Sequence, residues 1–272
     1  MIQKVIKILL LLVFSNSVMA QTEVLSKSKL TIGDKIEIES KLLNEKRILN
    51  IYLPVGYFKD SIKKYPVIYL LDGSIDEDFI HISGLVQFGS FSWINILPET
   101  IVVGIANVDR KRDFTFPTSV KEHLKEFPTT GKSANFIAFI EKELQPFIAK
   151  NYNCTESKTL IGQSLGGLLA TEILLKKPDL FDNYVIISPS LWWNEESLLG
   201  FEPTLYTTKK SIYIGVGKEG KIMEREAKAL YEKLKKIKKK NTNLYFNFFE
   251  KQNHGDVLHI AAYDAFEKIF KK

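Results

Sequence analysis

The sequence predicts an α/β fold, a mainly parallel sheet covered by helices on both faces, and two observations support this. Short apolar runs alternate with longer segments of helical periodicity from about residue 66 to the end of the chain. Two segments in which apolar and polar residues alternate come before them. Strands that alternate with helices are typical of parallel sheets, and strands buried on both faces appear as continuous apolar runs.

The first twenty residues have the composition of an export signal. Lys4 and Lys7 precede an apolar run over residues 8–14, and Ala20 offers a small residue for cleavage. The run is shorter than the roughly 20 residues that span a bilayer. The alternative is a retained N-terminal anchor. We therefore predict a signal peptide in residues 1–20, a single domain over residues 21–272, and an exported protein, periplasmic or secreted, without stable membrane insertion.

The bulk composition is that of a globular protein, with 45% hydrophobic and 26% charged residues. The formal net charge of +6 falls by two when Lys4 and Lys7 are removed, and many of the remaining lysines lie in residues 233–240. Lysines that close one helix without interleaved aromatic residues do not predict a nucleic-acid partner. Cys154 is the one cysteine, so an internal disulfide is excluded.

The elements follow in chain order. Alternating residues 30–39 and 47–53, separated by Asn44 and Glu45, predict an antiparallel hairpin. Buried strands are predicted at residues 66–71, 100–105, 158–162, 184–187, 211–216 and 244–249. Helices are predicted at residues 133–151, 165–177, 223–240 and 257–270. Ligands bind beyond the carboxyl ends of the strands in such sheets.

The segment Gly162-Gln163-Ser164-Leu165-Gly166 fits the pattern G-x-S-x-G. A strand precedes it and a helix follows it, which is the strand–turn–helix setting of the nucleophile in the α/β-hydrolase fold. Small residues on both sides allow the sharp turn that exposes the serine. The alternative is a glycine-rich turn with an idle serine. We predict that Ser164 is the nucleophile and that the helix N-terminus after it favours an oxyanion.

A serine nucleophile needs a base, and in this fold an acid and then a histidine follow it along the chain. His254 lies in a loop after the last strand, whereas His259 falls inside the final helix. His254 is therefore the predicted base. Glu219 is the first carboxylate after strand 211–216 and is the predicted acid, with Glu224 or Glu226, or no acid at all, left open. This mechanism requires no metal and no organic cofactor.

The oxyanion hole and the substrate pocket are predicted from the loops that follow strands. The backbone N–H of Leu165 is the first expected oxyanion donor, and that of Ser74 or Gly73 is the second. The substrate-binding candidates are Trp192, Trp193, Arg110 and Arg112. The structural alternatives are a plain turn at Gly73 and Ser74, a place in the core for the tryptophans, and a solvated loop for the arginines.

Six stretches together resemble a known family. They read LNIYLPVGY, KYPVIYLLDG, IVVGIANVDRKRDFTF, LIGQSLGGLLA, ISPSLWW and NHGDV, and they run from residue 49 to residue 257. The chain resembles the putative esterase family of α/β-hydrolases, and within it the branch of enterochelin and siderophore esterases, related to esterase D and the mycolyltransferases. The resemblance implies ester hydrolysis by Ser164 and His254 and supports Ser74 and Leu165 as oxyanion donors. It implies no single substrate, and in parts of the family the acid is displaced or missing.

These observations predict a secreted serine hydrolase of small aryl or acyl esters, siderophore-like esters among them, that acts through an acyl-enzyme on Ser164. Two alternatives belong to other classes. One is a catalytically inactive binding protein with a hydrolase fold, because a fold does not determine a function. The other is an acyltransferase that passes the same acyl group to an alcohol.

Overall fold

The computed structural model describes residues 22–237 and 240–271. The chain divides into two units at Thr31, and the compact unit Ile32–Lys272 contains the whole sheet. The predicted export signal lies outside the described residues and stays a prediction. Within the described ranges, no helix has the length and apolar character needed to cross a membrane.

The unit Ile32–Lys272 is built on an eight-stranded sheet in the order β1-β2-β4-β3-β5-β6-β7-β8. The strands are β1 Gly33–Ser40, β2 Glu45–Tyr52, β3 Tyr65–Leu70, β4 Ile101–Ile105, β5 Cys154–Gln163, β6 Asn183–Ile187, β7 Lys210–Gly217 and β8 Thr242–Phe249. β1 pairs antiparallel with β2, and β2 with β4, while every pair from β4 to β8 is parallel. The predicted hairpin and the mainly parallel sheet are therefore confirmed.

Helices lie in the connections from β3 to β8 and after the last strand. They are α1 Phe79–Gly89, α2 Arg110–Phe114, α3 Lys121–Glu126, α4 Ser133–Phe139, α5 Gln145–Asn151, α6 Leu165–Lys176, α7 Ser197–Gly200, α8 Lys221–Ile237 and α9 Val257–Phe270. A π-helical turn at Ile140–Leu144 interrupts the helix predicted over residues 133–151. Pro146 is the second residue of α5 and has no N–H to donate, so the hydrogen-bond pattern changes there.

The sequence analysis missed α1 and the three short helices α2, α3 and α7. In α1 the buried residues Phe79, Ile82 and Val86 follow helical spacing, but exposed Ile80 and Phe88 obscure the pattern. The short helices span four to six residues, too few for a periodicity to be visible.

The two faces of the sheet each bury an apolar layer. Leu160 of β5 packs into the layer that holds Leu168 of α6, whereas its neighbour Ile161 packs into the layer that holds Val86 of α1 and Ala261 of α9. Consecutive strand residues point to opposite faces, so burial on both faces explains the continuous apolar runs. Because β3, β5, β7 and β8 run parallel, the loops after them meet at one edge of the sheet.

Candidate active site

Ser164 stands on a strained turn between β5 and α6, with φ 58° and ψ −121°. Such a conformation costs a non-glycine residue about 1–3 kcal/mol, so surrounding contacts must hold it. The N–H of Ser164 donates to the carbonyl of Ile187 at 3.1 Å, and its carbonyl accepts from Leu168 at 2.9 Å. A Cβ on Gly162 would lie 2.4 Å from the carbonyl oxygen of Gly166. A side chain therefore cannot fit at Gly162, two residues before the serine.

An open cavity of about 250 Å³ lies over this turn. Its lining residues are Ser164, Ser190, Trp192, Glu219, Met223 and His254. The structure thus brings the three predicted members of the catalytic triad to one cavity, although they follow three different strands. Ser190 and Met223 were not predicted.

His254 and Glu219 form a close pair in the cavity that Ser164 also lines, with Nδ1 of the histidine 2.5 Å from Oε2 of the glutamate. Glu219 is buried, while about half of the His254 side chain is exposed. The second oxygen of Glu219, Oε1, accepts the hydroxyl of Ser188 at 2.5 Å and the N–H of Gly217 at 2.9 Å. The carboxylate is therefore fixed from the side away from the histidine.

These contacts determine the ionisation of Glu219. Burial by itself raises the pKa of Glu219, but the hydrogen bonds from His254, Ser188 and Gly217 outweigh burial and hold that pKa below its ordinary value. The ionised carboxylate accepts a hydrogen bond from Nδ1–H, so in neutral His254 the free lone pair is on Nε2. This is the nitrogen that a base needs to face a serine hydroxyl.

The alternative base and acids occupy other places. His259 pairs with His81, with ring nitrogens 3.1 Å apart. Glu224 accepts the backbone N–H of Glu219 at 3.0 Å and so closes the turn that carries it. Glu226 is fully buried, and burial followed by the charge of a neighbouring glutamate raises its pKa to about 7. The carboxylate that meets His254 is Glu219.

Ser190 is a site residue that the sequence analysis did not predict. Its hydroxyl lies 3.3 Å from the hydroxyl of Ser164, and its N–H donates to the carbonyl of Ser164 at 3.0 Å. It follows β6, the strand next to β5, so its position at the carboxyl end was the clue. Gln163 also ties the elbow to the histidine loop, since its Nε2 donates to the carbonyl of His254 at 2.6 Å.

The predicted oxyanion donors have different surroundings. Leu165 is the first residue of α6, so its N–H has no acceptor inside the helix. Gly73 cannot serve as predicted, because its N–H donates to the carbonyl of Ile105 at 3.0 Å. The N–H of Ser74 faces a carboxylate oxygen of Glu77 at 3.3 Å, a longer contact than an ordinary hydrogen bond. Ser74 stays the candidate for the second donor.

The two arginines serve the scaffold instead of the cavity wall. Arg110 donates from Nε and Nη2 to Asp72 at 2.6 and 2.9 Å, and Nη2 also reaches the carbonyl of Gln163 at 3.3 Å. Arg112 binds Asp113 at 2.8 Å and Glu45 at 2.7 Å. Ion pairs with carboxylates take up both guanidinium groups, so the expectation that they contact substrate is corrected.

The two tryptophans lie in different environments. Trp192 is half-buried and lines the cavity. Trp193 is fully buried, and its Nε1 donates to the carbonyl of Phe116 at 2.9 Å. Trp193 is therefore a core residue, contrary to its predicted place in the pocket. In the part of the chain that the structure describes, no three His, Cys, Asp or Glu side chains cluster in a way that could hold a metal ion.

Comparisons with known proteins agree with this geometry. A family model described as putative esterase matches residues 40–268. The ferri-bacillibactin esterase BesA of Bacillus subtilis is 30% identical over 241 residues, which cover 80% of this chain and 83% of that protein.

Solved structures show the same relationship. The BES protein from Bacillus cereus matches with a TM-score of 0.78 at 29% identity, over 93% of this chain and 100% of the other. An IroE-like serine hydrolase from Shewanella oneidensis matches with a TM-score of 0.77 at 30% identity, over 88% of this chain and 80% of the other. The chain therefore belongs to the putative esterase family and is a serine ester hydrolase with the α/β-hydrolase fold.

Proposed function

We propose that the protein is an exported carboxylic-ester hydrolase that works through an acyl-enzyme on Ser164. The observation that supports this most directly is the His254–Glu219 pair at 2.5 Å in the cavity that also contains Ser164. An ionised, buried carboxylate behind an imidazole is the arrangement that activates a serine.

The proposed steps give each of these groups one role. Nε2 of His254 takes the proton of the Ser164 hydroxyl as the oxygen attacks the ester carbonyl carbon. The N–H groups of Leu165 and Ser74 bind the oxyanion of the tetrahedral intermediate, and Glu219 stabilises the imidazolium. His254 then passes its proton to the departing alcohol, which leaves the acyl group on Ser164. Water repeats the sequence, which releases the carboxylic acid and restores the serine.

The substrate class that fits this cavity is a small aryl or acyl ester, siderophore-like esters included. Trp192 gives the cavity one aromatic wall, and a ring of this kind favours a planar aromatic acyl group. The volume of about 250 Å³ is below that of most pockets for whole drug-sized ligands. The cavity thus holds one acyl group, and the rest of a larger ester extends through its open mouth. The relative named ferri-bacillibactin esterase supports such a substrate.

The nucleophile is tested with p-nitrophenyl acetate and butyrate. Ser164→Ala should lower kcat by about 10⁶-fold, the loss that a serine nucleophile in a triad shows. Ser157→Ala, a change on the same strand, is the matched control and should retain activity. A fluorophosphonate probe should label the wild type and not Ser164→Ala. Substantial turnover by the folded Ser164→Ala variant, or no labelling of the wild type, would contradict the proposal. Added alcohol acceptors in the same assay reveal acyl transfer as a second product.

The aromatic wall has its own test. Trp192→Ala should lower the kcat/KM for an aryl ester more than that for an alkyl ester, by roughly 3- to 10-fold in the ratio, because an aromatic pair is lost. Equal losses for both esters would count against Trp192 as the acyl-binding wall. Export is tested by fractionating the native host cell and sequencing the N-terminus, which should begin at Gln21.

A further inference from the structure

The turn that carries Trp192 is strained. Asn194, Glu195 and Glu196 all have positive φ angles, of 50°, 53° and 59°. Non-glycine residues rarely adopt this region, and three in succession persist only where the surrounding structure determines them. Contacts outside the turn must therefore hold it in place.

Those contacts come from two sides. On one side Arg225 of α8 donates to a carboxylate oxygen of Glu196 at 2.5 Å. On the other side lies a stretch that we call the cap segment, residues 117–130, which contains the short helix α3. The hydroxyl of Thr118 donates to Oδ1 of Asn194 at 2.8 Å, and the N–H of Asn194 donates to Nδ1 of His123 at 3.3 Å.

Aromatic packing joins the cap segment to both tryptophans. The imidazole of His123 stacks on Trp193 at 4.7 Å between ring centroids and meets Trp192 edge-on at 5.4 Å. Phe127 lies 6.2 Å from Trp192. Trp193 is fully buried and therefore a fixed support, whereas Trp192 stands between the cap segment and the cavity. None of the residues of α3 is buried in the core, so the contacts of His123 and Phe127 with the tryptophans hold this helix in place.

We propose that His123 and Asn194 are positioning residues that set the selectivity of the enzyme for aromatic acyl groups by holding Trp192 in the cavity wall. Neither residue lines the cavity, so both act through Trp192. The inference rests on the proposed function, because it concerns the acyl group that Ser164 accepts. It adds two residues, 70 or so positions apart, to the determinants of specificity.

The first test compares p-nitrophenyl benzoate with p-nitrophenyl butyrate, two esters that share a leaving group and differ in the acyl group. His123→Ala and Asn194→Gly should each lower the benzoate-to-butyrate ratio of kcat/KM by roughly 3- to 10-fold. Glycine adopts the positive φ of residue 194 freely, so Asn194→Gly removes the side-chain contact with Thr118 without adding strain and keeps the backbone N–H that meets His123. His123→Phe keeps an aromatic ring against the tryptophans and should retain most of the ratio.

Lys125→Ala, on the exposed side of the same short helix, is the matched control and should leave the ratio unchanged. General destabilisation lowers both activities together, so only displacement of Trp192 moves the ratio. Ratios within about twofold of the wild type for both His123→Ala and Asn194→Gly, in folded protein, would overturn the proposal.

The second test does not depend on hydrolysis. In a Trp93→Phe background, which removes the exposed Trp93, the remaining tryptophans are half-buried Trp192 and fully buried Trp193. His123→Ala should increase acrylamide quenching of their fluorescence, because Trp192 loses its cover. Unchanged quenching would overturn the positioning role. If the wild type hydrolysed neither ester, the proposed function would fail, and this measurement would still decide whether the cap segment holds Trp192.

Discussion

Two buried carboxylates, Asp72 and Glu219, follow parallel strands at the same edge of the sheet but meet different partners. Asp72 follows β3 and accepts both Arg110, at 2.6 and 2.9 Å, and Asn107, at 2.7 Å. Glu219 follows β7 and gives one oxygen to Ser188 and Gly217 and the other to His254. One carboxylate is paired with a guanidinium and the other with an imidazole.

The difference in partner separates two roles. A guanidinium stays protonated at any working pH, so the Asp72–Arg110 pair can hold a loop but cannot exchange a proton. An imidazole has two ring nitrogens and can hold a proton on one while the other accepts or gives one, so the Glu219–His254 pair can support proton transfer. A carboxylate at a strand end is therefore not enough to identify a catalytic acid; its basic neighbour decides.

The largest expected effect separates the two carboxylates directly. Glu219→Gln should lower kcat by about 10⁴-fold, because an amide favours the wrong tautomer of His254 and does not stabilise the imidazolium. Steady-state turnover of p-nitrophenyl butyrate measures this.

Glu224→Gln is the matched control, since the amide oxygen can still accept the N–H of Glu219. It should lose less than about tenfold. If Glu219→Gln lost little kcat while Glu224→Gln or Glu226→Gln lost most of it, the acid would be misassigned. If all three variants kept most of their kcat, the enzyme would work as a Ser–His dyad.

A smaller effect is expected at the other carboxylate. Asp72→Asn leaves Arg110 partly buried without its counter-charge, which should lower the free energy of unfolding by about 2 kcal/mol. Because Arg110 also reaches the carbonyl of Gln163, the elbow should shift slightly and kcat should fall by about 10- to 100-fold. Urea unfolding and turnover are measured with Asp76→Asn, an exposed change in the same loop, as control. A loss as large as that of Glu219→Gln would remove the distinction between the two roles.

The smallest effect concerns pH. Burial, followed by the charges of Asp72 and Glu77, raises the pKa of Asp78 to about 6. The folded state therefore binds this proton more tightly than the unfolded state does, and its contribution to stability is lost as the pH rises from about 4 through about 6.

Asp78→Asn should accordingly raise the free energy of unfolding by about 1 kcal/mol at pH 7.5 and by little at pH 4, after allowance for solvent screening. Thermal unfolding at the two pH values measures this. Glu219 has the opposite sign: its lowered pKa contributes stability above its ordinary pKa that is lost as the pH falls through the lowered value. If Asp78→Asn raised the free energy of unfolding equally at both pH values, the raised pKa of Asp78 would not be its cause.

The parts of the fold that the sequence analysis predicted are those with a repeated local pattern. The hairpin and the six buried strands were found because period two and continuous apolar runs both report burial. α1 was missed because exposed apolar residues share its surface, and the π-helical turn was missed because Pro146 changes hydrogen bonding within an otherwise regular pattern.

The sequence by itself determined the strand–turn–helix around Ser164, because five consecutive residues and their flanks contain all the information that this turn requires. Only the tertiary structure decided which glutamate meets His254, that Arg110 and Arg112 bind carboxylates, that the N–H of Gly73 is already used, and that Trp193 is a core residue. The physical reason is range. Backbone strain and periodicity are local, whereas the partners Asp72 of Arg110, Glu45 of Arg112 and Ile105 of Gly73 lie tens of positions away along the chain and are brought close by the sheet.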